Sequence, residues 1–159
     1  MNPIKKLALV AALAFASTVA HSQVTVNHLQ TEKSPIASGV WAGDTLYLSG
    51  QLASPIDPKA EKPEYGDTER QAYSVFTKIQ ALLQAQGLDM KDVVKMTVFL
   101  AGDPNKGGKL DFAGLQASYT KFFGTKDQPN KPARSAVQVA ALAAPWALLE
   151  VEVIAVKSK

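Results

Sequence analysis

The chain has 159 residues, 47% hydrophobic and 19% charged, which fits one globular domain with one core. It has no cysteine and only two histidines, His21 and His28, which excludes disulfides, thiol nucleophiles and histidine-rich metal centres. The net charge is +3, from 17 basic and 14 acidic side chains, and no basic stripe of the kind nucleic acids require is present.

The first segment is set apart from the rest. Lys5 and Lys6 precede an apolar run from Leu7 to about Ala20, followed by small residues up to Gln23. This is the order of a secretory signal peptide, with cleavage expected between Ala20 and Gln23. The run is short for a membrane span. Residues 1–22 are therefore expected to be removed, leaving 23–159 as a single domain in the periplasm or secreted, with no stable membrane association. Without Lys5 and Lys6, 15 basic and 14 acidic residues remain, a net charge of +1.

In chain order, Val24–Leu29 alternates like an edge strand. Gly39–Leu52 holds two apolar runs around Gly43–Asp44, the pattern of a tight hairpin. Residues 53–66, with three prolines, predict a loop. From Thr68, the residues Ala72, Val75, Phe76, Ile79, Leu82 and Leu83 recur at helical spacing. Thr68 and Gln71 have capping-box spacing, and Gly87 suits the stop. Val93–Gly102 predicts a strand that packs Val94, Met96, Val98 and Leu100 against this helix. Asp103–Leu110 is rich in turn residues. Asp111 then caps a second helix with Phe112, Leu115, Tyr119, Phe122 and Phe123 on one face and Gly124 at its end. Two apolar strands close the chain.

The expected order is β-β-α-β-α-β-β, an α+β fold with both helices on one face of a mixed sheet. The other face, expected to carry Val, Ala and Leu, has no third layer to cover it, which predicts an oligomer.

Three charged residues stand out in those last strands. Arg134 follows Pro132, which fixes the approach of the backbone. Its guanidinium is suited to bidentate binding of a carboxylate, although a surface arginine or an inter-subunit ion pair has the same spacing. Glu150 and Glu152 lie two apart on a strand and share a face, with Leu149, Val151 and Val153 on the other. They fit either a solvated strand face or a carboxylate that positions water beside Arg134. Spacing does not choose between the two glutamates. Ser49 has no neighbouring base and no nucleophile-elbow glycine pattern. Gly50 lets a neighbour or a ligand approach the backbone.

Ser49–Leu52 (SGQL), Val93–Leu100 (VVKMTVFL), and KPARSAVQVAAL with LEVEVIAV resemble the RidA/YjgF family of reactive intermediate deaminases, labelled in older usage as L-PSP endoribonucleases. The resemblance covers about residues 34–157. It implies a chorismate-mutase-like homotrimer with sites in the clefts between subunits. It also implies hydrolysis of 2-imino or enamine acids to 2-keto acids and ammonia without metal or organic cofactor. By resemblance, Arg134 holds the substrate carboxylate and Glu150 activates water. The backbone at Gly50 and Ala136 faces the ligand, and Gln116 stands where many members have asparagine. Glu152 is then structural. Three departures bear on substrate preference: Ile36 follows Pro35 where many members have tyrosine, Gln116 replaces the asparagine, and the 102–110 loop is longer. They leave open a carboxylate-binding protein without turnover.

Overall fold

The computed structural model describes residues 23–158. The expected signal peptide lies outside them. Six strands form one sheet: β1 (Val26–Leu29), β2 (Gly39–Ala42), β3 (Thr45–Gln51), β4 (Val93–Leu100), β5 (Ala133–Gln138) and β6 (Leu149–Val156). Two helices, α1 (Thr68–Gln84) and α2 (Phe112–Tyr119), cover one face. The spatial order is β1-β2-β3-β6-β4-β5. Only β4 and β5 run parallel, because the α2 crossover returns the chain to the same end. The order is thus β-β-β-α-β-α-β-β. It has one strand more than expected, since the Val26–Leu29 edge strand pairs along the whole of β2.

Local chemistry accounts for most boundaries. Ala42 pairs with Thr45, so Gly43 and Asp44 form the hairpin turn, and Gly43 takes φ +59, which favours glycine. The N-cap of α1 is Asp67, whose carboxylate accepts the Arg70 N–H at 2.9 Å. The expected capping box between Thr68 and Gln71 does not form, because Thr68 already lies inside the helix. Gln71 is buried and works elsewhere. Its amide donates to Gly66 O and Trp146 O, and its Oε1 accepts the Leu148 N–H at 2.9 Å. One side chain therefore ties the start of α1 to the loop before β6. Past the end of α1, Leu88 N–H bonds Leu83 O at 3.0 Å while Gly87 turns left-handed, the glycine stop the sequence predicts.

Met96, Val98 and Leu100 are fully buried beneath the helices, as expected. Val94 is not: the register shifts between Val93 and Lys95, so Val93 is buried and Val94 is 48% exposed. A bulge of this kind is invisible to alternation alone. Asp111 caps α2 through the Gly114 N–H at 3.0 Å. The helix stops at Tyr119, five residues short of Gly124. Phe122 and Phe123 follow in a turn and still reach the core, where both lie against Phe76, while Phe112 is largely exposed.

The uncovered face carries rows fixed by register: Tyr47–Ile154–Lys95, Glu152–Thr97–Ser135 and Glu150–Phe99–Val137. The expected Val and Ala are there, at Val40, Val137, Val156, Ala42 and Ala133, but the expected Leu is not: the strand leucines face the helices, and large apolar and charged residues share the open side.

Candidate functional site

Arg134 lies on β5, the edge strand, in register with buried Met96. Its side chain therefore emerges on the helix side of the sheet. There the guanidinium carbon stands 4.2 Å from the centre of the Tyr119 ring and 5.6 Å from that of Phe112. Nη2 donates to Gln116 Oε1 at 3.0 Å. Gln116 and Tyr119 are three apart on α2, so one helical turn supplies both contacts. Burial holds the Tyr119 phenol above its ordinary value, and the charge of Arg134 pulls it the other way. The phenol is thus neutral and offers its ring face to the cation.

Nη1 of Arg134 is buried and has no hydrogen-bond partner among the described residues. A cationic donor left unpaired away from water is costly. An anion or a further protein acceptor reaching it would remove that cost. Beside it a cleft of about 420 Å3 runs between α2 and the start of β5, lined by Gln116, Tyr119, Lys131 and Arg134 among others. That is enough for a small carboxylic acid. A larger cleft of about 540 Å3, around Tyr73, Lys121 and Asn130, contains none of the expected site residues.

Glu150 is elsewhere. It sits on the central strand β6, in register with Phe99, so it points to the open face. Met96 and Phe99 are three apart on β4, and alternation puts Arg134 and Glu150 on opposite faces. Two strand spacings sideways and three residues along place their Cα atoms about 14 Å apart. Within one chain the two residues do not meet.

The second group has its own fitted support. A Cβ on Gly50 would overlap the Glu150 carboxylate. Gly50 lies at the irregularity between Leu48 and Gln51 on β3, beside β6. The close neighbour that glycine admits here is thus the glutamate. Glu152 is exposed and shares its row with Thr97 and Ser135. Ala136 lies on the edge strand, two residues beyond Arg134, and packs partly against the core.

Ser49 donates its hydroxyl to Ala37 O at 2.7 Å, and its N–H to Ser38 O. It pins the 31–38 segment to β3 and carries no sign of a nucleophile. Ile36, in that segment, is 63% exposed. Tyr119 belongs to the core, as its helical spacing predicts, and in addition faces Arg134, while nothing local in the sequence singles out Lys131. The Gln116–Tyr119 spacing on the helix was the signal that could have joined Tyr119 to the site.

The endoribonuclease L-PSP family model matches residues 25–157. The chain belongs to this family, the RidA/YjgF family of the resemblance above. It is 39% identical over 124 residues to the 2-iminobutanoate/2-iminopropanoate deaminase of Escherichia coli K12, covering 77% of this chain and 88% of that protein. It is 39% identical over 123 residues to a RutC family protein of Pyrococcus horikoshii, covering 77% and 87%. Among solved family structures, E. coli TdcF with bound serine superposes with a TM-score of 0.65 at 34% identity, covering 83% of this chain and 99% of that one.

Proposed function

We propose that the protein hydrolyses 2-imino acids and their enamine tautomers to 2-keto acids and ammonia, in sites shared between copies of a homotrimer. The observation that carries this reading is the division of the chain into two half-sites. Arg134, with Gln116 and the Tyr119 ring, forms one. Glu150 against Gly50 forms the other, on the opposite face. A second copy seated with its edge strand on the open face would bring its Arg134 to the Glu150 of the first and cover Tyr47, Phe99 and Val137.

The chemistry asks little of the protein. Arg134 pairs with the substrate carboxylate, and Gln116 keeps the guanidinium fork in place. Backbone groups of β5 near Ala136 and of β3 near Gly50 line the remaining walls. Glu150 of the adjoining copy accepts a proton from water as its oxygen attacks the imine carbon. That proton passes to nitrogen, the hydroxyl of the tetrahedral intermediate then gives its own proton to the same nitrogen as the C–N bond breaks, and ammonia and the 2-keto acid leave. Imine and water are consumed one for one. An imine is already electrophilic, so orientation and modest base catalysis are sufficient.

The test is ammonia or keto-acid release from residues 23–159, with imino acids generated in situ by an amino-acid oxidase. Acceleration by the wild type and its loss in Arg134→Ala are expected. No acceleration over background, with the variant behaving identically, would sink the proposal. A second reading is a carboxylate-binding protein without turnover. It is favoured by the exposed Ile36 where many members have tyrosine, and by the serine bound to TdcF. Tight keto-acid binding with no turnover of any imino acid would select it. We also place the mature protein outside the cytoplasm. The mass of the protein recovered from the exporting cell checks this, since cleavage between Ala20 and Gln23 removes the leader.

A further inference from the structure

We propose that Lys131 is a specificity residue, and that the site prefers 2-imino acids carrying a second carboxylate on the side chain. This rests on the deaminase reading, because it concerns the same cleft. Lys131 lines that cleft together with Arg134, Gln116, Tyr119 and Thr120, and no acidic side chain lines it. Neither cation has a salt-bridge partner among the described residues, where the only ion pairs are Lys106–Asp111 and Lys121–Glu69. Two unneutralised cations thus border one small cavity.

The lysine stem is seated in place. A Cβ on Gly124 would strike Lys131 Cε, and Gly124 takes φ +71. The turn after α2 therefore leaves a groove for the methylenes of Lys131. Pro132, buried between the two cations, fixes the chain leading into β5. Lys131 and Arg134 are three positions apart, so their Cα atoms are at most about 11 Å apart. Flexible side chains from those positions can each take one end of a four- or five-carbon dicarboxylate. With the C1 carboxylate on Arg134, C2 is left for water delivered by the adjoining copy, and the side-chain carboxylate lies toward Lys131. A monocarboxylic imino acid would leave that ammonium without a partner.

Wild type, Lys131→Met and Lys131→Arg would each be assayed with imino acids made from glutamate and from 2-aminobutanoate. Binding of 2-oxoglutarate and 2-oxobutanoate would be measured alongside. A partly exposed cation contributes about 1 kcal/mol, so about a fivefold preference for the dianion is expected. It should vanish in Lys131→Met, persist in Lys131→Arg and shrink with added salt. Values for the monoanion should fall by less than those for the dianion in Lys131→Met. Turnover of the monoanion without any dianion preference, or a preference that survives Lys131→Met, would overturn this inference and leave the deaminase reading intact. If neither imino acid is turned over, the deaminase reading fails, and the keto-acid binding ratio still decides the role of Lys131.

Discussion

On the helix side of the sheet, Met96, Val98, Leu100, Val151 and Val153 are buried under α1 and α2, with Phe76 and Phe123 filling the space between layers. On the open side, the residues alternating with them are Lys95, Thr97, Phe99, Glu150, Glu152 and Ile154, bordered by exposed Tyr47 and Val137. The same strands supply both sets. The first has what a closed core needs: branched and aromatic side chains with no polar atoms to satisfy. The second mixes large apolar surface with carboxylates and a lysine, which suits a face that meets another protein surface. Fold and the proposed assembly are thus carried by alternate residues of the same segments, and the proposed chemistry lies where the two sets come together at the edge strand.

One substitution on each face should separate them most sharply. Phe76→Ala, on the helix side, is expected to lower unfolding stability by about 3–5 kcal/mol in a denaturant titration. Val137→Asp, on the open side, is expected to change the stability of the single chain by less than about 1 kcal/mol. It should nevertheless lower the mass seen in sedimentation, and an unchanged assembly would argue against the open face as its interface. Next come the half-sites. Arg134→Ala and Glu150→Gln should each reduce kcat/KM by about 100-fold or more. Unfolding the two variants together and refolding them as a mixture should then restore part of the activity, since some sites would receive an intact arginine and an intact glutamate from different copies. A site contained in one chain could not recover in this way.

Smaller effects sharpen the comparison on the helix side. Gln71→Leu removes three hydrogen bonds and leaves the Leu148 N–H and two carbonyls without their partner. A loss of about 2–3 kcal/mol is expected, read as a shift of the denaturation midpoint at constant slope. The smallest effect concerns Asp89. Burial alone would raise its carboxyl, but hydrogen bonds from the Met90 N–H and the Gln80 and Gln84 amides, with the charge of Lys91, bring it below the ordinary value. A depressed carboxylate stabilises the fold above its unfolded value, and that contribution fades as pH falls through the folded value. The stability gap between wild type and Asp89→Asn should therefore narrow in acid, and a gap that widened there would contradict the assignment.

Much of this was legible in the chain itself. The α1 face, the Gly43–Asp44 hairpin, the Asp111 cap and the pairing of Glu150 with Glu152 on one face all follow from spacing and turn chemistry, which are local. The missed features are those set by contacts distant in sequence. Gln71 looked like half of a capping box, yet its partners at Trp146 and Leu148 lie more than seventy residues on. Val94 kept perfect alternation, but a register shift turned it outward. Arg134 and Glu150 could be picked out by residue type and resemblance. Their opposite orientations depend on which strands pair, and pairing is written in no single segment.

The linker between β5 and β6 joins the arginine strand to the glutamate strand, and Trp146 lies within it. Its indole stacks on Tyr65 at a centroid distance of 3.4 Å, with the planes 5° apart, while Trp41, the other of the chain's two tryptophans, is held through Gln86. The molecule therefore has an intrinsic optical probe in the segment connecting its two half-sites. The emission of Trp146, isolated by replacing Trp41 with phenylalanine, would report whether ligand capture moves this linker, in real time and without any attached dye.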